Sequence, residues 1–208
     1  MSEYHKIITA WKRDPANRHK TLLRDEWATP EFEALASLNW TWEEKVDGTN
    51  VRVIWDGHKV RFGGRTDNAQ MPTFLLDRLM ELFPEDAVEA VFGESAAVLY
   101  GEGYGAKIQK GGGSYIPDGC SLALFDVRVG EFWLKRIDVD DVAGQLSLTR
   151  APFVGVGPLG AAMALAESGF ASRLRDTDPE GLVMRPPVDL FTRAGKRVIA
   201  KVKIKDFA

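Results

Sequence analysis

Three observations predict an α+β fold with largely antiparallel sheets: a hairpin pattern over residues 51–62, amphipathic helical segments after it, and a mixture of strands and helices without βαβ rhythm. From Trp40 to Arg65 the chain reads as β. Val51, Val53 and Trp55 alternate with Arg52 and Ile54, Asp56-Gly57 makes a tight turn, and Val60 and Phe62 alternate with Lys59 and Arg61. Trp40, Trp42 and Trp55 are expected in the core of this first sheet. Leu75, Leu76, Leu79, Leu82 and Phe83 then recur at helical spacing behind Pro72, and Pro84 separates them from a second short helix that Gly93 ends.

The apolar run 96–100 predicts a buried strand delivering Gly101-Glu102-Gly103, followed by a glycine-rich loop over 110–114. Residues 122–127 and 132–135 form a second hairpin with Gly130 in its turn. Short helices follow at 138–146 and 159–168. Strands return at 180–185, after an Asp178-Pro179 turn, and at 197–205, after Ala194-Gly195.

The 208 residues carry 27 Lys and Arg against 30 Asp and Glu, a net charge of −3, so nucleic acid binding calls for a local basic patch rather than bulk charge. With no internal repeat and no linker-like stretch, a single domain over 1–208 is expected. Cys120 is the only cysteine and the opening residues are charged, which predicts a reducing, cytoplasmic setting. The stretch between Arg150 and Glu167 lacks charge but is broken by Pro152, Pro158 and glycines, so no membrane span is expected where about 20 apolar residues are needed.

Chemistry concentrates around Lys45, where a strand runs into a glycine turn, Glu44-Lys45-Val46-Asp47-Gly48-Thr49-Asn50. An amine attacks phosphorus only when deprotonated, so a nucleophilic lysine calls for neighbouring cations or desolvation and for a metal on the phosphate. Strand alternation supplies cations near the C-terminus: Val198, Ala200, Val202 and Ile204 share one face, and Lys201, Lys203 and Lys205 the other. A bare Lys-x-Asp-Gly arises by chance in roughly one chain in twenty of this length, and lysine rows often protect sheet edges. Neither feature alone identifies a site. His5, His19 and His58 have no metal-ligand spacing with one another or with Cys120. Gly111-Gly112-Gly113 lacks a P-loop context and reads as a flexible, substrate-facing loop. Lys12, Arg13, Arg18, His19 and Lys20 read first as a solvated helix face, with contact to nucleic acid as the alternative.

The joint order of the motifs is more specific. Lys45-Val46-Asp47-Gly48, Gly64-Arg65-Thr66, Tyr100-Gly101-Glu102, Leu124-Phe125-Asp126-Val127, the run Glu180 to Arg185, and Lys201-Val202-Lys203 stand in sequence. Together they resemble the motifs of the covalent nucleotidyltransferases, within them the ATP-dependent RNA ligases of the small phage and bacterial nick-sealing type. The resemblance implies the nucleotidyltransferase fold, an ATP-grasp-like adenylation domain, here without a C-terminal OB domain. It implies ATP and Mg²⁺ as cofactors and RNA ends, nicked or single-stranded, as partners, with a partner protein as one replacement for the missing domain. Lys45 becomes the nucleophile that carries AMP, and Lys201 and Lys203 hold the α-phosphate and keep Lys45 neutral. Phe125 stacks on adenine, Glu102 accepts from a ribose hydroxyl, and Glu44 reaches the adenine edge. Arg65 and Asn50 meet phosphates, while Glu180 and Asp47 serve the metal.

Asn50 favours the RNA branch, since DNA ligases and capping enzymes look like Lys-x-Asp-Gly-x-Arg, although Arg52 is a candidate to compensate. A DNA ligase, a polynucleotide 5′-adenylylating enzyme and a non-catalytic nucleic-acid-binding relative remain as alternatives.

Overall fold

The computed structural model describes residues 3–207. Its fold is α+β with largely antiparallel sheets, and the chain forms two compact units. One, the central unit, comprises residues 47–151 with Tyr4; the other, the terminal unit, comprises residues 5–46 and 152–207.

In the central unit the strands run in the order Thr149–Arg150, Cys120–Val129, Ala97–Gly105, Thr49–Trp55 and Val60–Gly63, with Phe132–Trp133 paired to the second. Only the pairing of Thr149–Arg150 is parallel. The expected hairpin is present, and the Asp56 carboxylate accepts the His58 and Lys59 N–H groups at its turn. Period-two alternation sends Val51, Val53 and Trp55 inward, where Leu99, Leu122 and Leu124 join them against Leu75, Leu79 and Phe83. Those last three ride on the helix Thr73–Leu82 and its end, and Glu85–Phe92 follows after Pro84. Arg136–Gln145 covers the same core with Val139 and Val142.

The sheet of the terminal unit has the order Ile8–Thr9, Ala200–Lys203, Gly181–Arg185, Trp40–Lys45 and Phe153–Gly157. On one face Trp40, Trp42, Leu182, Met184, Ala200 and Val202 pack against Leu159, Ala162, Met163 and Ala166 of the helix Leu159–Ser168. The opposite face carries Glu43, Lys45, Lys201 and Lys203. Trp11–Arg13 and Leu22–Trp27 make a separate two-stranded ribbon. Among the described residues no helix is long and apolar enough to cross a membrane.

Several expectations need correction. Trp40 and Trp42 lie in the core of one sheet and Trp55 in that of the other, because the chain leaves the first strand at Lys45 and begins a new one at Thr49. The basic segment is not one helix face: Lys12 and Arg13 lie on the strand Trp11–Arg13, a single 3₁₀ turn follows at Pro15–Asn17, and Arg18 and His19 stand in left-handed turn conformations after it. Glu102 sits within the strand Ala97–Gly105, not beyond its end. The last strand stops at Lys203, because the buried Asp206 carboxylate accepts the Lys203 N–H at 3.1 Å and draws residues 204–207 into a 3₁₀ turn. Lys205 therefore leaves the lysine row and is exposed.

Candidate functional site

In the terminal unit, strand register builds the charged cluster. Gly181 pairs with Lys45 on one side and with Lys203 on the other, so both lysines flank a residue without a side chain. Into that gap comes Glu180, the residue before the strand. Its Oε2 accepts from Lys45 Nζ at 2.5 Å and its Oε1 from Lys203 Nζ at 2.5 Å. The three side chains are only 20%, 10% and 25% exposed for Lys45, Glu180 and Lys203, so solvent screens them weakly. Burial alone raises the Glu180 carboxyl, but the Lys45 charge and the hydrogen bonds from Lys203 and Lys45 outweigh it and hold the group below its ordinary range.

Lys201 lies one residue pair further along the same face. Burial, then repulsion from Lys45 and Lys203, push its ammonium below the ordinary lysine value, with Glu180 opposing. Beside it in register stand Val183 and Glu43, and the nearly inaccessible Glu43 carboxylate pairs with Arg185 at 3.3 Å. Reading the sequence for motifs missed this pair. The signal was available, since Glu43 is two residues from Lys45 and so on its face.

Alternation places Glu44 on the opposite face, buried. Its oxygens accept from the Ser172 hydroxyl at 2.5 Å and the Arg173 N–H at 2.9 Å, so its carboxylate holds the segment that leads to Glu180.

In the central unit, Asp47 donates its N–H to Tyr115 Oη at 3.0 Å, and the Gly48 carbonyl accepts from Gln109 at 3.0 Å. A Cβ at position 48 would lie 2.1 Å from the Gly103 carbonyl oxygen and 2.9 Å from Glu102 Cγ, so glycine allows this turn to seat against the Glu102 strand. Two residues on, Asn50 stands directly across from Glu102 in the antiparallel register. The Asn50 Oδ1 is buried and has no hydrogen-bond partner among the described residues, an acceptor left for a ligand or water.

Phe125 occupies a β-bulge: Tyr100 pairs with Asp126 and Gly101 with Leu124, leaving Phe125 as the extra residue. Bulges re-aim side chains. Here the half-buried ring meets Tyr4 edge-on at 5.1 Å, while the Tyr4 hydroxyl donates to the buried Asp126 carboxylate at 2.8 Å. Tyr4 carried no sequence signal.

Arg65 is exposed in the loop after Val60–Gly63. Arg52 anchors that loop, donating from its buried guanidinium to the Gly64 carbonyl at 2.7 Å and to Asp67 at 2.7 Å. Arg52 thus gives Nε and one terminal nitrogen to its own loop, while its Nη1 is buried without a hydrogen-bond partner among the described residues. Gly112 is packed rather than loose: a Cβ there would lie 1.9 Å from the Gly105 carbonyl oxygen.

The structure therefore gathers Lys45, Glu180, Lys201 and Lys203 in one unit, and Asn50 with Glu102 in the other, where Phe125, Asp47 and Arg65 also lie. Among the described residues no group of three or more His, Cys, Asp or Glu side chains is arranged to hold a metal.

A family model described as RNA ligase matches residues 38–203. No curated protein gives a significant match. Among solved structures, the Naegleria gruberi RNA ligase with PPi is 18% identical, with a TM-score of 0.67 over 98% of this chain and 58% of that chain. An apo variant of the same ligase gives 16% identity and a TM-score of 0.68 over 100% and 58%. A variant with ATP and Mn gives 17% and 0.66 over 84% and 52%. At these identities the likeness is one of fold, and this chain spans little more than half the length of those it matches.

Proposed function

This chain belongs to the RNA ligase family, and from that premise we propose that it joins RNA 5′-phosphate and 3′-hydroxyl ends with ATP through a covalent lysine-AMP. The observation that carries the reading is the Glu180 carboxylate held between Lys45 and Lys203, with the desolvated Lys201 alongside.

Lys45, having lost its proton, attacks the α-phosphorus of ATP; the N–P bond forms as pyrophosphate leaves. The 5′-phosphate of RNA then attacks the same phosphorus, which frees Lys45 and leaves AMP on the end. A 3′-hydroxyl attacks the 5′-phosphorus, the phosphodiester bond forms, and AMP leaves. Lys201 and Lys203 stabilise charge developing on the α-phosphate. Before attack the Lys45 ion pair with Glu180 has to open, since an amine bound as ammonium has no free electron pair.

In the central unit, Glu102 and Asn50 are proposed to meet the nucleotide's polar groups, Arg65 a phosphate and Phe125 the adenine face. A hard cation such as Mg²⁺ keeps several waters and takes one or two carboxylates together with substrate phosphate oxygens. A charged Glu180 suits it, and Asp47 is the second carboxylate proposed. When bound, the cation neutralises phosphate charge. Glu44 is proposed at the adenine edge only if Ser172 and Arg173 release it.

Asn50, with Arg52 committed to Gly64 and Asp67, supports RNA over DNA as the strand joined. Sealing of matched nicks that differ only in the sugar of the 3′-hydroxyl strand tests this. The RNA nick is expected to close at least tenfold faster, about 1.4 kcal/mol in the barrier. Preference for DNA would assign the chain to a DNA-joining role.

A further inference from the structure

We propose that the tip of the Trp11–Arg13/Leu22–Trp27 ribbon is a contact surface for the RNA phosphate backbone. This rests on the ligase reading for the identity of the nucleic acid.

The tip is a built turn. Asp14 Oδ1 accepts the Ala16 N–H at 2.8 Å, Asn17 Oδ1 accepts the Lys20 N–H at 3.0 Å, and the Asp14 carbonyl accepts the His19 N–H at 2.8 Å. These bonds hold Arg18 and His19 at φ 63° and 62°, consecutive left-handed conformations that cost a non-glycine residue on the order of 1 kcal/mol each. The outcome is a fixed display of Arg18, His19 and Lys20, all exposed, whose side chains form no hydrogen bond or ion pair among the described residues. Lys12, by contrast, already pairs with Glu26 at 3.3 Å.

The base of the tip is tied to the lysine row. The Arg13 guanidinium donates to the His19 carbonyl at 3.3 Å and to Asp206 Oδ1 at 2.7 Å, and Asp206 Oδ2 accepts the Lys203 N–H. Ile8–Thr9, which leads into the ribbon, pairs in parallel with Ala200 and Lys201. A rigid turn presenting adjacent cations, fastened to the strand of the proposed phosphate-binding lysines, has the chemistry of a backbone reader without base specificity.

The test uses Arg18→Asn with Lys20→Gln; asparagine tolerates the left-handed backbone, so the change removes charge and leaves the turn. Self-adenylylation without RNA is expected to be unchanged. Binding of a 5′-phosphorylated nicked RNA duplex, followed by fluorescence anisotropy from 50 to 200 mM salt, is expected to weaken about tenfold, with the slope of log K against log salt shallower by about 1 to 2. Arg18→Lys with Lys20→Arg should restore both. Wild-type affinity and slope in the neutralised variant would overturn the proposal. Absence of adenylylation in every variant, with the binding change intact, would instead strike the ligase reading and leave the surface standing.

Discussion

Glu180→Gln is expected to slow the attachment of AMP to the protein by at least about 100-fold, the range for losing one charged or hydrogen-bonding group aligned on a reacting phosphate or carbonyl. The substitution keeps the size of the side chain and removes the charge that Lys45 and Lys203 share at 2.5 Å each. Three lysines then face one another without an anion, and the protein should also lose on the order of 2 kcal/mol of stability, less than for a fully buried pair. The two losses are separable by pH. The folded carboxyl is held below its ordinary value of 4.5, so its contribution is present above that value and disappears as pH falls through the lower folded value. Urea midpoints measured downward from pH 6 should therefore fall less steeply in Glu180→Gln than in the wild type. Parallel acid limbs would show that the ion triad contributes nothing.

Gly181→Ala should be worse for folding than for any single contact it touches. A Cβ there would lie 2.0 Å from the Val202 carbonyl oxygen and 2.7 Å from Lys203 Cα, both main-chain atoms that cannot swing aside, at a φ of +155°. Accommodating it means prising the central strand from its neighbour, and that strand pairs with Lys45 and Lys203 at once. A loss of about 3 kcal/mol, a melting temperature lowered by about 6 to 12 °C, is expected. Gly113→Ala, with nothing within 4 Å of the added carbon, should leave the melting temperature within a degree or two of wild type and serves as the control. Equal stability for the two variants would mean that the strand shifts freely.

Much of this was legible from residues alone. The helix Leu159–Ser168 and the hairpin through Asp56-Gly57 follow from periodicity and turn chemistry, both local properties. Alternation also foretold that Lys201 and Lys203 share a face. What was not legible depends on distant partners. Asp206, whose carboxylate turns the chain so that Lys205 leaves the row, is itself held by Arg13, nearly the whole chain away in sequence. Arg52 looks like a free cation beside the Lys45 motif until Gly64 and Asp67 claim it. The strand Phe153–Gly157, with glycine at alternate positions, has weak intrinsic preference and exists because Gly155 and Gly157 make room for the Trp42 ring. The cations near residue 18 were misread as a helix face because charge spacing does not reveal a turn held by Asp14 and Asn17. The pairing of Lys45 with Glu180 was not foreseen, since the resemblance implied only a metal role for Glu180 and no local rule brings together residues so far apart in sequence.

Lys45 is the residue proposed to take AMP from ATP. Purified, AMP-free protein mixed with α-phosphate-labelled ATP and Mg²⁺, without nucleic acid, then resolved under denaturing conditions beside Lys45→Ala, tests it most directly. Label should be retained on the wild type and absent from the variant, a difference of at least about 1000-fold. Label on Lys45→Ala equal to wild type, or an unlabelled wild type, would contradict it.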